Sequence, residues 1–197
     1  MKALRGLVGI CIAVVGAGCS DPSGPSEPLQ VAVSLSPTTV PLDGTAQATT
    51  TVTRGGKPLT GQSVSYSSEN PSIATVNSSG VVTGVGMGTT RILAKVTSGQ
   101  SGAATLSVGP GAPATIAKGA GDQQTALPRD PVAIPPAVIV RDRLGNPVPG
   151  VPVIFSVVMG GGSLAGSNAT TDASGTATVG SWTLGALGAN TITAMVS

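Results

Sequence analysis

From residue 29 onwards the chain alternates apolar and polar side chains in short runs, and Gly, Pro, Asn and Ser break those runs every few residues. Val31, Val33 and Leu35 share one parity while Ala32, Ser34 and Ser36 share the other, which predicts a half-buried strand ended by Pro37. Residues 46–52 predict a second strand, Thr-rich and half-exposed or at a sheet edge, followed by a turn at Arg54-Gly55-Gly56-Lys57. Val64 and Tyr66 share a face. Ile73, Val76, Val81, Val85, Ile92, Ala94 and Val96 continue the apolar set through turns at Asn70-Pro71, residues 77–80 and residues 86–89. Residues 104–108 predict the closing strand. Residues 29–109 therefore predict one antiparallel β-sandwich of about seven strands.

Residues 110–113 (Pro-Gly-Ala-Pro) follow as a short, semi-rigid linker, in which Gly permits a bend that Pro limits. Residues 114–197 predict a second sandwich with a different rhythm. Val138 and Val140 mark one strand; Val151, Val153, Phe155 and Val157 mark another; the Gly, Asn and Pro of residues 142–150 turn the chain between them. Residues 171–175 form a further tight turn, leading to residues 176–179, then to Trp182 and Leu184, and finally to a strand carrying Ile192, Ala194 and Val196. No long segment after the N-terminal region repeats with the helical period. The fold class predicted is all-β, two tandem antiparallel sandwiches with almost no helix.

The first 28 residues are written differently. Lys2 and Arg5 precede an apolar run and then Gly16-Ala17-Gly18-Cys19, the layout of an export signal over residues 1–18 that ends in small residues. That run is too short for the ~20 residues of a membrane-spanning helix. Residues 19–28 hold mainly Ser, Pro and acidic residues and predict a flexible tether. Cys19, directly after two small residues, is the candidate lipidation site. Cleavage after Gly18 without a lipid, or an uncleaved anchor, would share the same basic and apolar parts. Cys11 would leave with the signal, so the mature chain has no internal disulfide.

Charge narrows the partners. Removing Lys2 and Arg5 from the ten basic residues leaves eight, equal to the eight acidic ones, so the mature chain has no basic excess for nucleic acid. The chain has no His, which removes Ser-His-Asp and Cys-His catalysis and His-based metal sites. Paired-carboxylate chemistry would need two of Asp43, Glu69, Asp122, Asp130, Asp142 and Asp172 to converge, yet nearly all stand in turn-like text. Asp142 and Asp172, each three residues before a Gly, could offer oxygens to calcium, which takes six or more ligands. Alternatively each accepts backbone N–H groups in its own turn, which needs no ion. Gly160-Gly161-Gly162 lacks the Lys and helix start of a phosphate loop. Tyr66, Phe155 and Trp182, the three aromatic residues, all fall within or beside strand patterns and are expected in the core rather than on a sugar-stacking platform. No catalytic residue, metal, cofactor or small-molecule substrate is expected.

Residues 31–108 resemble the group 2 bacterial immunoglobulin-like domain (Big2). The opening Val-Ser-Leu-Ser-Pro at residues 33–37, the centre YSSENPSIATV at residues 66–76 and the close GVVTGVGMGTTRILAKV at residues 80–96 carry the likeness, with Tyr66 where that family often has Trp. Residues 112–197 are similar to the group 1 domain (Big1) of intimin and invasin stalks, through AVIVRDRLGNPVPGVPVIFSV at residues 137–157, TDASGTATV at residues 171–179 and residues 189–196. That domain normally adds a strand after the one equivalent to residues 192–196. The Gly-Cys19 junction resembles the lipobox of bacterial lipoproteins, although Gly16 stands where Leu is usual. These resemblances imply a non-catalytic lipoprotein of the cell envelope, at the outer membrane or cell surface. It would be anchored in the membrane through Cys19 and would act as an adhesion, binding or stalk module towards a protein or glycan partner. Accessory domains of a longer extracellular enzyme, and a periplasmic structural lipoprotein, are the alternatives.

Overall fold

The computed structural model describes residues 27–197, so the expected signal, Cys19 and most of the expected tether lie outside the described residues. The first sandwich is built from β1 (Leu29–Ser36), β2 (Thr39–Pro41), β3 (Thr45–Arg54), β4 (Lys57–Pro58), β5 (Val64–Ser68), β6 (Ala74–Val76), β7 (Val81–Gly84), β8 (Gly88–Val96) and β9 (Ser101–Gly109). One sheet runs β1-β3-β7-β6, with β4 paired to β3, and the other runs β2-β9-β8-β5. Alternation decides which side chains face inward. Along β8, Thr90, Ile92, Ala94 and Val96 are buried, and along β3, Ala46, Ala48 and Val52. With Val40, Val82, Leu106 and Val108 they form the core between the sheets. The Thr50 hydroxyl on β3 donates to the Tyr66 hydroxyl on β5 at 3.0 Å, a polar tie between the two sheets.

Several local expectations change. Residues 46–52 are not at an edge: β3 lies between β1 and β7 with full antiparallel register to β1. Its Thr-rich outer positions reflect one solvated sheet face, which reads in sequence much like an edge. The closing strand begins at Ser101 rather than residue 104, and the turn before β8 ends at Gly88. Nine strands replace the expected seven, because β2 and β4 are only three and two residues long, too short to alternate visibly.

The second sandwich contains β10 (Thr115–Ala120), β11 (Ala137–Arg141), β12 (Pro152–Met159), β13 (Gly162–Ala165), β14 (Asn168–Thr170), β15 (Thr176–Thr178), β16 (Ser181–Leu184) and β17 (Thr191–Val196). Two three-stranded sheets, β10-β11-β15 and β14-β12-β17, face one another, and β13 and β16 form a separate ribbon. Val140 and Ala177 from one sheet meet Val153 and Phe155 from the other, with Val148, Val151 and Val179 completing the buried cluster. The apolar window at residues 151–158 supplies β12, whose two edges are taken by β14 and β17. Apart from isolated bridges at Pro131 and Pro147, all described residues outside strands lie in turns, bends or irregular backbone, and none in a helix. The all-β expectation therefore holds.

Candidate functional site

The carboxylates singled out by the sequence do not assemble into one site. Glu69 pairs with Arg91 at 2.9 Å and Asp122 with Lys118 at 2.7 Å, both on exposed surface. The Lys118 ammonium holds the Asp122 carboxyl below its ordinary range. Asp130 joins the strand system through its backbone, where its carbonyl accepts the Leu184 N–H. Among the described residues no group of three or more His, Cys, Asp or Glu is placed to hold a metal ion.

Asp172 sits in the turn between β14 and β15. One oxygen accepts the Ser174 hydroxyl at 2.6 Å, the Ser174 N–H at 2.8 Å and the Thr176 N–H at 3.0 Å. The Ser174 hydroxyl, then these amides, lower its pKa. The carboxylate thus imitates a backbone carbonyl and shapes the turn, the alternative to calcium that needs no ion.

Asp142 does the same in the turn after β11 and is far more enclosed, only 2% exposed. Oδ1 accepts the N–H groups of Leu144 and Asn146, each at 2.9 Å. Oδ2 accepts the Asn146 side-chain amide at 3.0 Å and, from outside the turn, the Gly111 N–H at 3.0 Å. Burial alone would raise its pKa, but the donors from Gly111, Asn146 and Leu144 outweigh it and hold the group at about 2. Nearby, Thr171 is buried and secures the neighbouring turn, its hydroxyl donating to the Val148 carbonyl at 2.7 Å and accepting the Val151 N–H at 2.9 Å.

Asp43 and Asp142 lie at the same junction, where the Asp142 charge works against ionisation of Asp43. Their surroundings exclude a catalytic pair. Arg143 grips Asp43 through two bonds, Nε to Oδ2 at 2.9 Å and a terminal guanidinium nitrogen to Oδ1 at 2.7 Å, and lowers its pKa. Asp142 has four N–H donors on its two oxygens. Neither carboxylate is left free to act as an acid or base at a reacting atom. Arg143, Gly111 and Thr171 make ties in this region that the sequence reading, which placed them only in turns and in the linker, did not foresee. Arg143 adjoins Asp142 in a conspicuous turn, but its partner lies 100 positions away, beyond any local pattern.

The aromatic residues go where the patterning placed them. Phe155 is buried in the second core, Tyr66 packs against the first, and Trp182 is almost wholly covered. Trp182 also lines a cleft of about 700 Å³ between β10 and β17, together with Ile116, Phe155 and Ile192. Its indole N–H finds no hydrogen-bond partner among the described residues. Among those residues β17 pairs with β12 alone, so the cleft runs beside its open edge.

The bacterial Ig-like domain (group 2) matches residues 30–108, and the bacterial Ig-like domain (group 1) matches residues 130–197. The chain is a tandem of bacterial Ig-like domains. No curated protein matches it. Among solved structures, the tandem is similar to domains 4–9 of the surface layer protein SbsC, at 20% identity and a TM-score of 0.41, covering 85% of this chain and 28% of that one. It is also similar to the adhesin InvE of Yersinia pseudotuberculosis, at 23% identity and a TM-score of 0.36, covering 85% of this chain and 55% of that one. For the D00-D0 domain of intimin the values are 15% identity and a TM-score of 0.45, covering 85% of this chain and 93% of that one. Likeness at this level carries no functional argument.

Proposed function

We propose that this tandem is an exported, lipid-anchored cell-envelope protein whose two Ig-like sandwiches serve as a non-catalytic stalk or binding module at the outer membrane or cell surface. The observation that carries the reading is the order of parts: a basic then apolar N-terminal segment ending in Gly16-Ala17-Gly18-Cys19, a Ser- and Pro-rich stretch, and two bacterial Ig-like domains. Acyl chains on the Cys19 thiol would hold the chain at a membrane, since each buried methylene contributes about 0.8 kcal/mol. The occupation of Asp43, Asp142 and Asp172 by structural donors supports the non-catalytic half of the proposal. Recognition of a protein or glycan partner would fall to the loops at the ends of the sandwiches, where such scaffolds carry their variable surfaces.

Mass spectrometry of the mature N-terminus from membrane fractions, paired with protease shaving of intact cells, tests this. Wild type is expected in the membrane fraction with acylated Cys19 as its first residue and with both sandwiches cleaved from outside, whereas Cys19→Ser moves to the soluble fraction. An unmodified terminus in soluble wild type overturns the anchor. Sandwiches that survive shaving of intact cells overturn surface display and favour the periplasmic structural alternative.

A further inference from the structure

The backbone between the two sandwiches is tied down on both sides. The Gly109 carbonyl, at the end of β9, accepts the Leu42 N–H at 3.0 Å, and Gly109 is in register with Pro41 of the first sandwich. Two residues later the Gly111 N–H donates to Asp142 of the second sandwich at 3.0 Å, and the Ala114 N–H then donates to the Arg141 carbonyl at 2.8 Å. Between these ties only Pro110 belongs to neither side, and its ring restricts φ to one narrow range. Gly111 is also hemmed in: a Cβ there would lie 3.1 Å from Leu42 Cβ and 3.7 Å from Asp142 Cβ. Leu42, from the first sandwich, is itself buried. Arg143 reaches back across the junction to Asp43 in the two-bond pair already described, with both side chains more than half exposed.

We infer that this junction is a lock and not a hinge: Asp142, bonded to the Gly111 N–H and flanked by the Arg143–Asp43 pair, makes the two sandwiches one rigid body with a set mutual direction. A flexible connector needs several residues free to sample backbone angles, and here the free length is a single proline. Bending at Gly111 would strip a donor from a carboxylate held away from water, and such a buried charge is costly to leave short of partners. The exposed ion pair is the weaker of the two fasteners, because solvent and salt screen it. The lock is a property of the folded chain in solution, so it stands whether or not Cys19 is acylated.

Residual dipolar couplings of the soluble full chain, with Cys19 replaced by Ser, read the lock directly. The backbone amides of β1–β9 and β10–β17 are expected to fit one common alignment tensor. Asp142→Ala is expected to lose the common fit, leaving two tensors of different magnitude. Asp172→Ala, which removes an equivalent turn carboxylate with no tie to the linker, is expected to keep it. Two tensors in the unsubstituted chain, or a single tensor in Asp142→Ala, overturns the inference. If Asp142→Ala leaves the second sandwich unfolded, Asp142→Asn keeps one oxygen for the Leu144 and Asn146 N–H groups, replaces the acceptor of the Gly111 N–H with a donor, and is judged by the same outcomes.

Discussion

A carboxylate that is almost wholly enclosed stays charged only when donors replace the water it has lost, and Asp142 has four of them. Removing the acceptor leaves those N–H groups short of partners, so Asp142→Ala is expected to destabilise the second sandwich by about 3 kcal/mol, read by urea denaturation. Asp172→Ala opens an exposed turn to water, which can replace the lost bonds, and is expected to destabilise the sandwich far less than Asp142→Ala does. The two residues also differ in their response to acid. The folded pKa of Asp142 is about 2, below the ordinary 3.8. Its contribution is therefore complete above roughly pH 4 and is lost as pH falls towards 2, an effect of about 2 kcal/mol. Asp142→Asn, which cannot titrate, is expected to show a flatter stability profile across that window. Equal acid sensitivity in the two proteins would assign the loss to other groups.

Turns and strands show how far local pattern reaches. Gly145 and Gly175 both adopt left-handed backbone, at φ 82° and 73°, and both close Asp-x-x-Gly turns. Added methyl groups would meet different surroundings: nothing lies within 4 Å at Gly145, whereas at Gly175 the Val140 carbonyl is 2.6 Å away. Gly145→Ala is expected to cost about 1 kcal/mol from backbone strain alone, and Gly175→Ala clearly more because β11 must shift, as comparative thermal melts will show. The sequence marked both glycines as turn residues, since Asp and Gly three apart is local chemistry. It could not separate them, because the Val140 contact comes from a different strand. The same boundary governs the strands. Alternation revealed β1, β8, β12 and β17, pairs of same-face residues marked β5 and β11, and a Thr-rich run marked β3, while β2 and β4 were too short to show, and the central place of β3 depends on partners that local pattern does not name.

At the scale of the molecule, the two buried clusters share no residue. Phe155→Ala should therefore lower the melting transition of the second sandwich by removing about 3–5 kcal/mol of packing, and Ile92→Ala that of the first by about 2–5 kcal/mol, each leaving the other transition near its original temperature in calorimetry. Movement of both transitions together by either substitution would instead show that the junction couples the two cores. The presence of two sandwiches was legible because each carries its own strand text. The fastening between them was not, because Gly111 and Asp142 are 31 positions apart and Asp43 and Arg143 100 apart.

The parallel pairing of β2 with β9 bears on how the first sandwich would carry a pulling force. Thr39, Val40 and Pro41 run beside Ser107, Val108 and Gly109, and the pairing continues at both ends through Ser107 N–H to the Thr38 carbonyl and Leu42 N–H to the Gly109 carbonyl. β2 lies near where the chain enters the sandwich, and β9 is where it leaves. Tension applied at the two ends would fall first on β1, held along its length by β3; once β1 came away it would slide β2 and β9 lengthwise in opposite directions, loading their hydrogen bonds side by side instead of opening them one at a time.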